Sequence, residues 1–262
     1  MTRAWAGCGR LAMVGRVTAA EYRRYLGECR TYWPGFLTQA VTTVLIFAVF
    51  FALSEGARSP TAWFGYLMWI LASAVISEAP VATNSEKLSG TLAQVMIKPI
   101  GIGVLTLVKT VVWVSVNLVF SVATLAIMAV VLRLPVAVDA RLVPLALLGL
   151  ISLLGFTLVL TALTVLWSKS SGLVGIVSYI LLFLTGAMVP LEALPVGLRA
   201  VGLGLPLTGA IGAGRGVLSG QSVGAGEVVA MALEAAGYVL LGGLVFRLVM
   251  RRAKRRGVSM HY

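Results

Sequence analysis

The chain has 262 residues, 59% of them hydrophobic and only 11% charged, and its mean hydropathy is +0.99. A soluble domain carries about 25% charged residues, so this composition excludes a water-soluble globule and leaves lipid as the solvent for most of the surface. The net charge of +12 gathers at the two ends and in short loops with no aromatic-basic platform, which sets nucleic acid aside and points to topology and to contact with anionic membrane lipids.

Residues 1–33 carry Arg3, Arg10, Arg16, Arg23, Arg24 and Arg30 beside a partial helical stripe of Leu11, Val14, Val17, Tyr22, Tyr25 and Leu26. That pattern predicts a helix lying on the cytoplasmic membrane surface and ending at the interfacial residues Tyr32 and Trp33. The two cysteines, Cys8 and Cys29, both fall here, where they would stay reduced. With one histidine, His261, far away in sequence, they offer no metal ligand set. The first long apolar run begins only near Pro34, too late for the apolar region of a signal peptide, and is expected to be the first membrane anchor.

Six spans are expected, at 34–53, 61–79, 110–132, 142–167, 172–189 and 228–250. About 20 apolar residues at 1.5 Å each suffice for the roughly 30 Å hydrocarbon core. Pro80 is expected to end the second span, and an interfacial stretch from Ile100 to lead into the third. With both termini cytoplasmic, the inner side collects the N-terminal arginines, Lys87, Lys98, Lys169 and the basic tail Arg251, Arg252, Lys254, Arg255 and Arg256. The outer side then holds only Arg58, Arg133, Arg141, Arg199 and Arg215. This asymmetry requires an even number of spans; the expected location is the cell (inner or plasma) membrane. The organisation read from these features is one membrane domain, with an interfacial helix 1–33, a six-helix body 34–250 and a basic cytoplasmic tail 251–262.

Two connectors are more than links. In 83–99, Thr83 and Glu86 have the spacing of a capping box, Leu88, Leu92, Val95 and Met96 recur at helical spacing, and Pro99 supplies a stop. This predicts a short amphipathic cytoplasmic helix that either docks into a groove of a partner or rests on lipid headgroups. Residues 190–226 are too broken by Pro190, Pro195, Pro206 and glycines for an ordinary span, yet too apolar for a solvated loop. A helical hairpin dipping into the outer leaflet near the translocation path fits, because broken backbone at membrane depth needs cover from protein or water.

Few polar residues interrupt the spans. Glu234 is read either as a packing residue or as lining the path, with Asn117 a second path candidate. Glu78 and Lys109 are expected to snorkel to the inner interface, and Asn117, Thr157, Thr161 and Thr164 to bond between helices. The spans hold no His and no Asp, so an intramembrane enzyme lacks its catalytic pair. An ion-coupled secondary transporter would favour several buried carboxylates and finds support only in Glu234.

The run Glu86-Lys87-Leu88-Ser89-Gly90-Thr91-Leu92, followed after Met96 by Lys98-Pro99, resembles the E-x-x-x-G-T-L…P signature of ABC-2 type permeases. The stretch Gly186 to Pro195, with Pro190 and Glu192, then Leu205-Pro206-Leu207-Thr208 and Arg215, is similar to that family's outer re-entrant hairpin; Leu205 stands where the family often has Asn. The likeness covers nearly the whole chain. It implies an all-α polytopic membrane protein of six transmembrane helices with a cytoplasmic coupling helix and an outer re-entrant helical hairpin. It further implies that Glu86, Lys87, Gly90, Thr91, Leu92, Met96 and Pro99 meet a separate ABC ATPase subunit, and that a second permease chain, identical or homologous, completes the path. The protein would then be a non-enzymatic exporter subunit with no cofactor of its own, ATP and Mg2+ being bound by the partner. Independently, the 262 residues hold no G-x-x-x-x-G-K-[ST] loop. The short outer loops favour a small amphipathic, drug-like or lipid-like cargo.

Overall fold

A computed structural model describes residues 2–53, 59–88, 102–133, 136–166 and 171–256. Among them the chain is helical throughout, with no strand. The helices are α1 (Thr2–Thr31), α2 (Trp33–Leu53), α3 (Ala62–Leu88), α4 (Ile102–Leu132), α5 (Leu142–Leu166), α6 (Ser171–Leu184), α7 (Val196–Leu203), α8 (Thr208–Leu218) and α9 (Ala225–Arg256), with a single 3-10 turn at Leu191–Ala193. Five of them, α2, α3, α4, α5 and α9, are long and apolar enough to cross a membrane.

The centre of the bundle is α3. Trp63, Phe64, Tyr66, Met68, Trp69, Leu71, Val75 and Ile76 are buried around its whole circumference, as expected of a helix enclosed by neighbours. By contrast α2 buries only Thr43 and Phe47. Its Leu37, Val41, Leu45, Val49 and Leu53 recur every fourth residue and stay exposed, an apolar stripe suited to lipid.

Lipid tails are as apolar as leucine, so apolar burial alone does not hold such helices together; close packing at small residues and hydrogen bonds between helices do. Both are present. Tyr66 of α3 donates to the Thr43 carbonyl of α2 at 2.5 Å, and Trp69 Nε1 donates to the Ser178 carbonyl of α6 at 2.9 Å. The tightest crossing joins α5 to α9. A Cβ on Gly155 would strike the Tyr238 carbonyl group and stand 2.5 Å from Val239 N, and a Cβ on Gly242 would strike the Gly155 carbonyl. The two backbones touch only because neither position has a side chain.

Three expectations about the elements need correction. Pro80 does not end the second span: α3 runs through it, unbroken, to Leu88. Thr83 therefore caps nothing, and its hydroxyl donates to the Ala79 carbonyl one turn back. Proline costs a helix one bond to residue i−4, but in a helix surrounded by others that loss is tolerated, and Pro80 is buried. The fifth span is shorter than expected. Its helix α6 has 14 residues, about 21 Å, and gives way to bends at Thr185–Val189, where Gly186 takes φ +80. Finally, the threonines expected to bond across helices bond within their own: Thr157 and Thr161 donate to the carbonyls of Leu153 and Thr157, and Thr164 to that of Thr161, all near 2.8 Å. A hydroxyl on a short stem finds the preceding turn before it finds a neighbour.

Candidate functional site

The first candidate region is the connector after α3. Glu86 and Lys87 lie on the last turn of that helix. Gly90, Thr91, Leu92, Met96 and Pro99 lie outside the described residues. The connector thus follows directly on the most buried helix of the bundle.

The second region is 190–226. Pro190 and Pro195 precede the 3-10 turn and α7, where a fixed φ and a missing N–H suit the start of a helix. Glu192 sits in that 3-10 turn. The chain then turns through Gly204 to Leu207, past Pro206, and enters α8 at 99° to α7. The corner is made by Leu207, a buried leucine in the left-handed conformation at φ 78. Such a residue holds only where its surroundings fix it; here Thr208 donates to the Gly202 carbonyl at 2.7 Å and Tyr238 of α9 donates to the Gly204 carbonyl. Leu205, where asparagine is common in the resembling proteins, is not needed for these bonds. Arg215 of α8 reaches back to the Ala187 carbonyl at 3.1 Å, tying the hairpin to the bends that end α6. Its Nε is buried without a hydrogen-bond partner. Thr208, Ala210, Ile211, Gly214 and Val217 bury α8 against the bundle, whereas α7 leaves Val196, Leu198, Val201 and Leu203 exposed.

The third region is a cavity of about 490 Å³ bounded by α2, α3, α4 and α6. Hydroxyls line much of it: Thr42, Thr43, Ser73, Ser77, Ser121 and Ser178, together with Gln39 and Asn117. Phe36, Trp69, Phe120 and Tyr179 add aromatic faces. The lining combines apolar bulk with a few polar groups, as small-molecule sites do. Asn117 is part of it but is already engaged. Its Nδ2 donates to the Tyr25 hydroxyl at 3.0 Å and to the Trp113 carbonyl at 2.9 Å, while the Tyr25 hydroxyl donates to Glu78 Oε1 at 3.2 Å. Through this bond Glu78 helps tie α1, α3 and α4 together. Residues 117, 121 and 124 of α4, and 73 and 77 of α3, repeat at helical spacing. A search for polar stripes inside apolar spans would have found this cavity.

That network makes α1 part of the bundle. Tyr25 and Cys29 are buried against Val108, Val112, Trp113 and Val116 of α4. Burial, then the negative charges of Glu78 and Glu28, push the Cys29 thiol above its ordinary range. Little thiolate is present near neutral pH, so Cys29 should alkylate slowly. Tyr25→Phe removes the Tyr25 bonds to Asn117 and Glu78 and leaves Asn117 only its Trp113 carbonyl, a loss of about 1–3 kcal/mol. In a Cys8→Ser background, maleimide labelling of Cys29 is expected to speed up severalfold in Tyr25→Phe; an unchanged rate would mean that α1 docks without this network.

Glu234 lies elsewhere, on α9, in a smaller cavity against α8. The two residues read as path candidates, Asn117 and Glu234, therefore line different cavities.

Comparison with curated proteins finds no match. The family model for ABC-2 type transporters matches residues 14–218, a stretch that runs from within α1 to the end of α8 and takes in four of the five long helices, the first connector, the second as far as Leu218, and the hydroxyl-lined cavity. The chain belongs to the ABC-2 type transporter family and is a multi-pass membrane permease of the ABC type.

Proposed function

We propose that this chain is the membrane half of an ATP-driven exporter that moves a small amphipathic, drug-like or lipid-like substrate outward. The observation that carries the proposal is the family match, together with the absence from these 262 residues of any phosphate-binding G-x-x-x-x-G-K-[ST] loop. Energy then comes from a separate nucleotide-binding subunit holding ATP and Mg2+. Two permease chains, identical or homologous, would enclose the path, and two ATPase subunits would close on ATP beneath them. The segment from Glu86 to Pro99 would receive that closure at the ATPase surface and pass it to α3.

The cavity bounded by α2, α3, α4 and α6 suits the cargo class. Its volume of about 490 Å³ falls within the range of about 300–1,000 Å³ of small-molecule sites, and its hydroxyls and aromatic faces match a molecule with one polar and one apolar end. In this reading both termini face the cytoplasm of the cell that bears the protein, consistent with the basic residues at both ends.

The purified chain is expected to hydrolyse no ATP, and to transport only when reconstituted with its ATPase and supplied with Mg2+ and ATP. ATP hydrolysis by the isolated chain would contradict the assignment of the energy source.

A further inference from the structure

Between α8 and α9 a carboxylate faces a cavity with nothing in its lining to balance its charge. The cavity measures about 330 Å³. One wall is the glycine face of α8, Gly209, Gly212 and Gly216, which share one side of the helix. The opposite wall is the face of α9 that carries Glu227, Met231 and Glu234 at intervals of four and three residues. Glu234 Oε1 is buried and has no hydrogen-bond partner.

The polar lining residues Gln221 and Ser222 are neutral and leave Glu234 Oε1 without a bond. Ser152, on α5 beside Glu234, donates to the Gly149 carbonyl at 2.8 Å, and Tyr238, one turn along α9, donates to Gly204. Arg215 adjoins Gly216 in sequence but does not line the cavity; one of its terminal nitrogens donates to the Ala187 carbonyl. None of the residues lining the cavity is Lys, Arg or His. Glu234 is the tenth residue of a helix read as a span, from Ala225 to Arg252. An ionised carboxylate without a counter-charge is costly there. Beside it α8 presents only Gly209, Gly212, Gly216 and the small Ala213, and a Cβ on Gly212 would meet nothing within 4 Å.

We propose that this cavity binds a small organic monocation, an ammonium group on a compact apolar body, with the Glu234 carboxylate as its counter-ion. Met231 and Val223 contact the apolar part, and the glycine face of α8 lets it approach closely. The exposed Glu227 draws cations toward the cavity. A soluble amine and the ammonium headgroup of a zwitterionic lipid offer the same chemistry. The proposal concerns binding alone and stands apart from the ATP-driven reading.

The test is equilibrium dialysis of radiolabelled benzyltrimethylammonium against the full chain in phosphatidylglycerol nanodiscs, with protein-free discs subtracted. Wild type is expected to bind saturably, at one site per chain. The neutral carbon isostere neopentylbenzene should fail to compete. Glu234→Gln should weaken binding about tenfold or more. Gly212→Leu, which keeps the carboxylate but fills the space, should weaken it equally. Displacement of the probe by added phosphatidylethanolamine would identify a lipid headgroup as the source of the cation, and unchanged binding would identify a soluble one. No saturable binding by wild type, full binding by Glu234→Gln, or full binding by Gly212→Leu would each overturn the proposal.

Discussion

Gly155→Ala is expected to destabilise the bundle by about 3 kcal/mol, the upper part of the range for overpacking a close-packed core. Most single substitutions cost less because the obstacle is a side chain that can turn away. Here the new methyl group would meet the backbone of Tyr238 and Val239 on α9, and backbone cannot rotate out of its path. Either α5 and α9 separate along their whole contact or one of them bends. Both outcomes also move Glu234, which α9 carries two to three turns from Gly242. The measurement is the temperature at which detergent-solubilised protein loses its monodisperse peak, compared with Gly237→Ala. Gly237 is on the partner helix α9, next to Tyr238, but a Cβ there meets nothing within 4 Å, so that variant should match or slightly exceed wild type through alanine's better helix propensity. Equal thermal behaviour of the two variants would mean that the α5–α9 crossing is not made at Gly155.

Glu86→Lys and Gly90→Leu are expected to leave ATP hydrolysis by the assembled transporter near wild type while reducing transport about tenfold or more. A like charge or an unpaired charge at a docked surface costs several kcal/mol, and under the proposed function this surface is where the ATPase engages the permease. Glu86 adds a reason from the fold, since it ends the same helix that carries Trp69 and Ser73 into the hydroxyl-lined cavity. Under the proposed function, a contact made at this end of α3 would reach the cavity along one continuous helix that includes Pro80. Assays of transport and hydrolysis on the same proteoliposomes decide it; transport that falls only in proportion to hydrolysis in both variants would remove the coupling role from this segment.

The broken segment 190–226 and most of the helices were legible because membrane helices announce themselves by length and hydropathy. The exceptions share a cause. Pro80 and Gly186 were read with the rules of soluble helices, in which proline stops a helix and a run of apolar residues continues one. Inside a bundle the neighbours decide, so α3 passes through its proline while α6 stops at Leu184, five residues short of the expected limit at Val189. The network of Tyr25, Glu78 and Asn117 joins three residues far apart in sequence, and no local pattern reveals it. The helical spacing of Asn117, Ser121 and Thr124 on α4 did contain half of the message, since polar residues repeating on one face of an apolar span need something polar opposite them. Glu234 stood out as a rare acid within a span. Its separation from Asn117 depends on where α8 packs, and that follows from the corner at Leu207.

The central claim is that this permease works with a separate ATPase. It is tested most directly by isolating the chain from its native membrane in mild detergent and identifying by mass spectrometry what accompanies it. The account predicts a roughly stoichiometric subunit with the G-x-x-x-x-G-K-[ST] loop that this chain lacks, and the presence or absence of a second, related permease chain would distinguish a heterodimer from a homodimer. Recovery of this chain alone, still transporting in liposomes without ATP and in response to an ion gradient, would contradict the account and make the protein a secondary transporter.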